Sequence, residues 1–181
     1  MRKLVFAINT SLDGCVDHAK FFPDKDTFAY FTQLTRDADT FLYGRKTYEL
    51  MVPYWPDAAK EDPSDEFAQA FDAVNKIVVF SKSLDSAEDE KTTIVRTGLK
   101  DEVLKLKQQQ GKNIFTGGVN LAAQLAALGL IDEYHFVTLP IIVGEGVRLF
   151  EGINLQEKLQ LKLVESTVFK SGAVVLRYVK Q

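Results

Sequence analysis

Short apolar runs, each closed by glycine or hydroxyl residues, constrain this chain more than any other feature. Leu4-Val5-Phe6-Ala7-Ile8 ends at Asn9-Thr10-Ser11, and Phe41-Leu42-Tyr43 ends at Gly44. Ile77-Val78-Val79-Phe80 ends at Ser81, and Ile114-Phe115-Thr116 at Gly117-Gly118. Runs that are apolar without alternation fit strands buried on both faces, the habit of a parallel sheet covered by helices. The expected strands are 3–9, 39–43, 76–80, a smaller one at 92–95, 113–116 and about 131–139.

Helical patterns fall between them. Phe28, Phe31 and Leu34 recur at spacings of three behind Asp24 and Asp26, either of which can cap. Lys46 to Met51 reads as helix, as do the segments marked by Phe67, Ala70, Phe71 and Val74, and by roughly 99–110. Leu121 to Leu128 has high helix propensity and stops at Gly129. Pro53 and Pro56 predict a loop from there to about Ser64. The last two strands, Leu159 to Phe169 and Ala173 to Val179, meet through Lys170-Ser171-Gly172, a hairpin signal. The expectation is an α/β chain with a mainly parallel central sheet, helices on both faces and a C-terminal antiparallel hairpin.

Composition sets the outer limits. With 181 residues the chain fits one domain spanning 1–181, and 46% apolar residues suffice for a sizeable core. A net charge of −3 offers little attraction to nucleic acid. No apolar run approaches the ~20 residues that span a bilayer, and the run after Met1-Arg2-Lys3 is too short for a signal peptide's apolar region. The single cysteine, Cys15, excludes an internal disulfide and suits a reducing compartment, so cytoplasm is the expected location. His18 and His135 are far apart and neither belongs to a ligand pair, so no metal site is expected. His135 reads as a strand-face histidine and His18 as a solvated loop residue.

Three strand ends carry residues suited to a dinucleotide. At Gly44-Arg45-Lys46-Thr47 a strand turns into a helix through glycine, and a helix N-terminus attracts phosphate. A tight turn with two surface cations is the competing interpretation. At Thr116-Gly117-Gly118-Val119-Asn120 two consecutive glycines let backbone amides approach an anion, although a tight turn would need only one. At Phe80-Ser81-Lys82-Ser83 hydroxyls and a cation suit a phosphate monoester; the same residues also suit a solvated strand end. Recognised alternatives fail: no G-x-G-x-x-G follows the first strand, and the chain has neither a phosphate-binding G-x-x-x-x-G-K-[ST] nor a G-x-S-x-G elbow.

Taken in order, these segments resemble the dihydrofolate reductase-like family. Within it, they are most similar to the reductase domain of bifunctional riboflavin-biosynthesis deaminase–reductases and its standalone relatives. The resemblance rests on Ser11-Leu12-Asp13-Gly14, Leu42 to Tyr48, Val78-Val79-Phe80-Ser81, Thr116-Gly117-Gly118, Gly129 to Glu133 and Pro140 to Phe150. It implies NADPH lying across the sheet, with its pyrophosphate between the helices opened by Gly44 and Gly118. Arg45, Ser81 and Lys82 would then hold the 2′-phosphate. The Ser11–Gly14 loop would close over the nicotinamide beside Asn9, and the chain would form a homodimer. The apolar hairpin supports that last expectation, since exposed sheet edges invite association.

The substrate end departs from both relatives. Folate reductases carry an acid early in the first helix; Thr27 occupies that place here, with Asp26 one residue before it. Riboflavin-pathway reductases follow their second strand with an Asp-Pro-rich segment ending in Arg, where this chain has Glu49-Leu50-Met51-Val52-Pro53-Tyr54-Trp55-Pro56. The leading expectation is hydride transfer from NADPH to a C=N or C=O bond of a small heterocycle. By analogy this is the 5-amino-6-(5-phosphoribosylamino)uracil reductase step of riboflavin biosynthesis, with Asn9, Asp13, Asp26 and Thr27 as the candidate catalytic residues. The alternatives are a dihydrofolate-type reductase using Asp26 and a nucleotide-binding module without turnover.

Overall fold

The computed structural model describes residues 1–87, 89–155 and 157–181. Its elements run β1 (Leu4–Thr10), α1 (Lys25–Arg36), β2 (Ala38–Gly44), α2 (Arg45–Met51), α3 (Trp55–Glu61), α4 (Glu66–Asp72) and β3 (Lys76–Phe80). Then come β4 (Thr92–Val95), α5 (Leu99–Gln108), β5 (Asn113–Thr116), α6 (Asn120–Ala127), β6 (Glu133–Thr138), β7 (Leu161–Val168) and β8 (Val174–Lys180).

The strands form one sheet in the order β4-β3-β2-β5-β1-β6-β8-β7. All neighbours from β4 to β6 are parallel, while β8 runs antiparallel to β6 and to β7. The apolar strands pack on both faces. Leu4, Phe6 and Ile8 of β1 join Leu42, Val78 and Ile114 in a core covered by Val103 and Leu106 of α5 and Leu121 and Leu125 of α6. Val5 and Ala7 face the other way, into Phe41, Tyr43, Val79 and Phe115, beneath Phe31, Tyr48 and Phe71 of α1, α2 and α4. The period-2 alternation of a strand thus assigns each β1 side chain to one helical layer or the other.

One element differs from expectation. The segment after Pro53 is not a loop throughout, because α3 occupies Trp55–Glu61. Pro56 lies in its first turn, where a missing N–H breaks no helical hydrogen bond, and Ala58-Ala59-Lys60-Glu61 favour helix thereafter. The hairpin closes as expected, through Gly172 at φ +88° and a Phe169 N–H to Ala173 carbonyl bond of 2.8 Å. Its outer strand β7 is bare, however, with Leu163, Val164 and Val168 exposed and a register shift between Leu163 and Glu165.

Candidate functional site

Parallel strands bring all their C-terminal ends to one rim, and ligands of open α/β sheets bind there. The ends of β1, β2, β3, β4 and β5 open onto a cleft of about 1420 Å³. Asn9, Gly44, Arg45, Lys46, Thr47, Ser81 and Lys82 line it, as do Gly117, Gly118, Val119 and Asn120. The turns after β2 and β5 touch: a Cβ on Gly118 would fall 2.4 Å from Thr47 Oγ1, and Gly118 has φ +82°. No L side chain fits there without displacing Thr47. Gly44, by contrast, has an ordinary extended backbone, with φ −81° and ψ 166°.

Helix capping separates the cleft from the rest of the molecule. Asp24 caps α1 by accepting from Thr27 N–H at 2.8 Å, and Asp65 caps α4 by accepting from Phe67 and Ala68 N–H groups. The helices α2, α3, α5 and α6 have no side-chain cap, and their first residues line the cleft. Their terminal N–H groups lack an intrahelical partner and carry the positive end of the helix dipole. Four cations stand beside α2, α5 and α6, namely Arg45, Lys46, Lys82 and Arg96. Arg45 pairs with Glu49 at 3.1 Å, both half-exposed, an interaction that water weakens. Ser81 Oγ accepts from the Ser83 and Leu84 N–H groups at 3.2 and 3.0 Å, which folds the 81–84 turn and leaves its O–H to donate.

Arg96, Thr97 and Gly98 also line this end, and sequence reasoning missed them. The Arg96 guanidinium donates to the Lys82 and Asp85 carbonyls, tying the end of β4 to the Ser81 turn. Gly98, at φ +72°, heads α5. The signal was present as another strand–glycine–helix junction, but two residues separate the glycine from a weak, half-exposed strand.

Four expected site residues lie elsewhere. Asp13 is not in the cleft lining: it accepts from Ser11 Oγ at 2.7 Å and from the Val143 and Gly144 N–H groups at 3.1 and 2.9 Å. Those three donors hold its carboxyl far below the usual carboxylate range, so it is an acceptor at neutral pH and cannot serve as an acid. The Ser11–Gly14 turn is therefore pinned to the loop after β6 and not draped over the cleft. Asp26 is exposed on the first turn of α1, away from the lining. Thr27 is wholly buried behind its cap Asp24. Thr116 is buried too, and its hydroxyl donates to the Leu42 carbonyl at 2.9 Å, linking β5 to β2. Asn9 does reach the cleft, and its Oδ1 is buried with no hydrogen-bond partner. His18 lies on the cleft wall, exposed.

His135 belongs to a separate buried cluster under α1. Tyr30 Oη lies 2.5 Å from Nδ1, and Nε2 lies 2.9 Å from Glu133 Oε1, which also takes Arg177 Nη1 at 3.1 Å. Burial pushes the imidazole below its usual 6.5. Among the described residues no group of three His, Cys, Asp or Glu side chains is placed to hold a metal ion, and no helix is long and apolar enough to cross a membrane.

A sequence profile, that of the RibD C-terminal domain, matches residues 2–175, a span that holds these strand ends, glycine turns and the lining of the cleft. The chain belongs to the RibD C-terminal domain family. Uncharacterized protein YyaP of Bacillus subtilis (strain 168) is 31% identical over 98% of this RibD C-terminal domain and 94% of its own length. Among solved structures, a Shewanella sp. PV-4 protein provisionally named for riboflavin biosynthesis superposes with TM-score 0.74 at 22% identity, covering 100% of this chain and 99% of that one. A Thermotoga maritima diaminohydroxyphosphoribosylaminopyrimidine deaminase/5-amino-6-(5-phosphoribosylamino)uracil reductase superposes with TM-score 0.71 at 16% identity, covering 99% of this chain and 57% of that one. Both share the fold.

Proposed function

We propose that this chain is an NADPH-dependent oxidoreductase that reduces a C=N or C=O bond of a small heterocycle. The observation that carries the reading is the convergence of uncapped α2, α5 and α6 with Arg45, Lys46, Lys82 and Arg96 on one cleft. The pyrophosphate would lie at the turns of Gly44 and Gly118, where α2 and α6 begin without side-chain caps. Ser81, Lys82 and Arg45 would take the 2′-phosphate; Thr47, Val119 and Asn120 line the wall between the two turns.

NADPH held by these residues would be the source of the hydride for the carbon of the C=N or C=O bond. The heteroatom then needs a proton, and Asp17 is the only carboxylate among the described lining residues. Asp17 Oδ1 is taken by the Ala19 N–H at 3.0 Å in an exposed turn, and with Asp13 clamped and Asp26 outside, we assign the proton to solvent water. Asn9 orients the substrate by accepting a donor at Oδ1. A dihydrofolate-type reading loses its acid, because Asp26 is exposed to solvent away from the cleft.

Fluorescence titration tests the cofactor. Losing charge-assisted contacts worth about 1.5–3 kcal/mol each implies at least ~10-fold preference for NADPH over NADH. Equal affinity would remove the 2′-phosphate assignment. NADPH oxidation is then assayed with 5-amino-6-(5-phosphoribosylamino)uracil, the substrate in the Thermotoga protein's name, and with dihydrofolate. Binding without oxidation of NADPH by any heterocycle would make this a nucleotide-binding module.

We also propose a homodimer through the hairpin, since β7 is an edge strand with Leu163, Val164 and Val168 exposed. Light scattering across a dilution series decides it, and a mass near 20.3 kDa throughout would exclude the dimer.

A further inference from the structure

The cleft has two chemically different ends. Its four lining Lys and Arg residues all follow the ends of β2, β3 and β4. The wall beneath α1, α3 and α4 carries none and is aromatic instead. Phe28 of α1 meets Phe67 of α4 edge-to-face at 6.1 Å, Phe67 meets Trp55 at 4.6 Å, and Trp55 meets Tyr54 at 4.9 Å. At the mouth Phe28 is 40%, Leu50 47% and Tyr54 61% exposed. Apolar exposure concentrated around a cleft marks a surface that a ligand covers.

Polar side chains interrupt this wall, Thr35 of α1 and Asn9 of β1 among them. Asn9 continues the Val5–Ala7 row of β1, on the sheet face that carries Phe41, Tyr43 and Phe115. Its buried Oδ1 has no partner, and a buried acceptor left unmet is costly unless a ligand donor meets it. A phosphate at this end would shed its hydration without a cation to replace it.

We infer that the aromatic end takes an uncharged, planar heterocycle bearing a ring N–H that donates to Asn9 Oδ1, and that it discriminates against phosphorylated substrates. This rests on the reading of the opposite end as the NADPH site. The ring lies against the Phe28–Phe67–Trp55 array, where flat faces gain contact and dispersion and a tetrahedral dianion finds no lysine or arginine.

The chain's only tryptophan, Trp55, reports on this end directly. With NADPH held at saturation, and its binding recorded separately by nicotinamide fluorescence, Trp55 emission is followed during titration with lumichrome and with FMN. Lumichrome is an uncharged tricycle with ring N–H groups; FMN presents a similar ring bearing a phosphate. The expected result is saturable quenching by lumichrome with affinity at least about 10-fold above that of FMN. Leu50→Arg, a substitution at an exposed lining position, should shrink or reverse that preference by placing a cation at the mouth. NADPH binding with FMN preferred, or with neither ring quenching Trp55, overturns the inference and leaves the cofactor reading intact. Lumichrome quenching without any NADPH signal overturns the cofactor reading and keeps the ring site.

Discussion

The two ends of the same parallel strands are built on opposite plans. At the N-terminal ends, the cations Arg2 and Lys107 are buried and paired. Arg2 Nε donates to the Lys112 carbonyl at 2.6 Å, and its guanidinium pairs with Asp39 and reaches Thr40 Oγ1 at 2.9 Å. Lys107 Nζ donates to the Leu130 carbonyl at 3.0 Å and to Asp132 at 2.8 Å, and Asp132 in turn accepts from Leu4 N–H at 2.8 Å. These contacts fasten the starts of β1, β2, β5 and β6. At the C-terminal ends, helix N–H groups are uncapped and Asn9 Oδ1 is unmet. Similar groups therefore serve stability where the chain supplies their partners and recognition where it withholds them.

The largest expected effect comes from breaking the fastened end. Arg2→Met leaves Asp39 without its cation and the Lys112 carbonyl without its donor in a largely buried site, and should lower unfolding free energy by about 3 kcal/mol in urea titrations. NADPH affinity of the folded protein should stay unchanged; a parallel loss of affinity would mean that the two ends are not independent. Next in size, Gly118→Ala places a Cβ against Thr47 Oγ1 at positive φ. It should cost about 1–2 kcal/mol of stability and at least 10-fold in NADPH affinity, the ratio that about 1.4 kcal/mol commands. Unchanged affinity would show that the two turns do not hold the pyrophosphate. Lys82→Ala should weaken NADPH about 10-fold and leave NADH untouched, since one charge-assisted contact is lost. Equal losses for both cofactors would place Lys82 away from the 2′-phosphate.

The smallest effect is a pH dependence outside the cleft. His135 faces Tyr30 and Glu133, with Arg177 and Glu165 beyond, and burial depresses its pKa below 6.5. The native protein therefore keeps it neutral where the unfolded chain takes up a proton, so its contribution is complete above pH 6.5 and is lost progressively below. Denaturation midpoints measured across that window should fall on acidification, and His135→Gln should flatten the fall. Glu133 is shifted downward against the opposing effect of burial by Arg177, His135 and Lys3, and adds a further loss at lower pH.

The strands β1, β2, β3 and β5 were legible because burial on both faces leaves an unbroken apolar run, and their ends marked the cleft. The helix α3 was hidden by Pro53 and Pro56, which read as breakers although Pro56 occupies the turn that tolerates it. The role of Asp13 depended on Val143 and Gly144, 130 and 131 residues away, and no local pattern encodes such a partner. Nothing local marks Arg2 or Lys107 as buried either, since their partners Asp39 and Asp132 are 37 and 25 residues away. Asn9 was legible as a strand end, but its missing partner became visible only once both helical layers were in place.

Asp13 is one stitch in a longer seam. Val16 N–H donates to the Val147 carbonyl at 2.8 Å, Leu149 N–H reaches the Gly14 carbonyl at 3.3 Å, and Cys15 bridges to Arg148. Cys15 lies under that seam, fully buried, so close to Gly146 that a Cβ there would stand 2.9 Å from its sulfur. A thiol sealed in this way meets an alkylating reagent only while the seam is parted, so its labelling rate counts local openings. Cys15 is thus a built-in stopwatch. Because Val16 and Val147 also line the cleft, the pace of labelling with and without a bound ligand measures how far occupancy steadies the neighbouring loop.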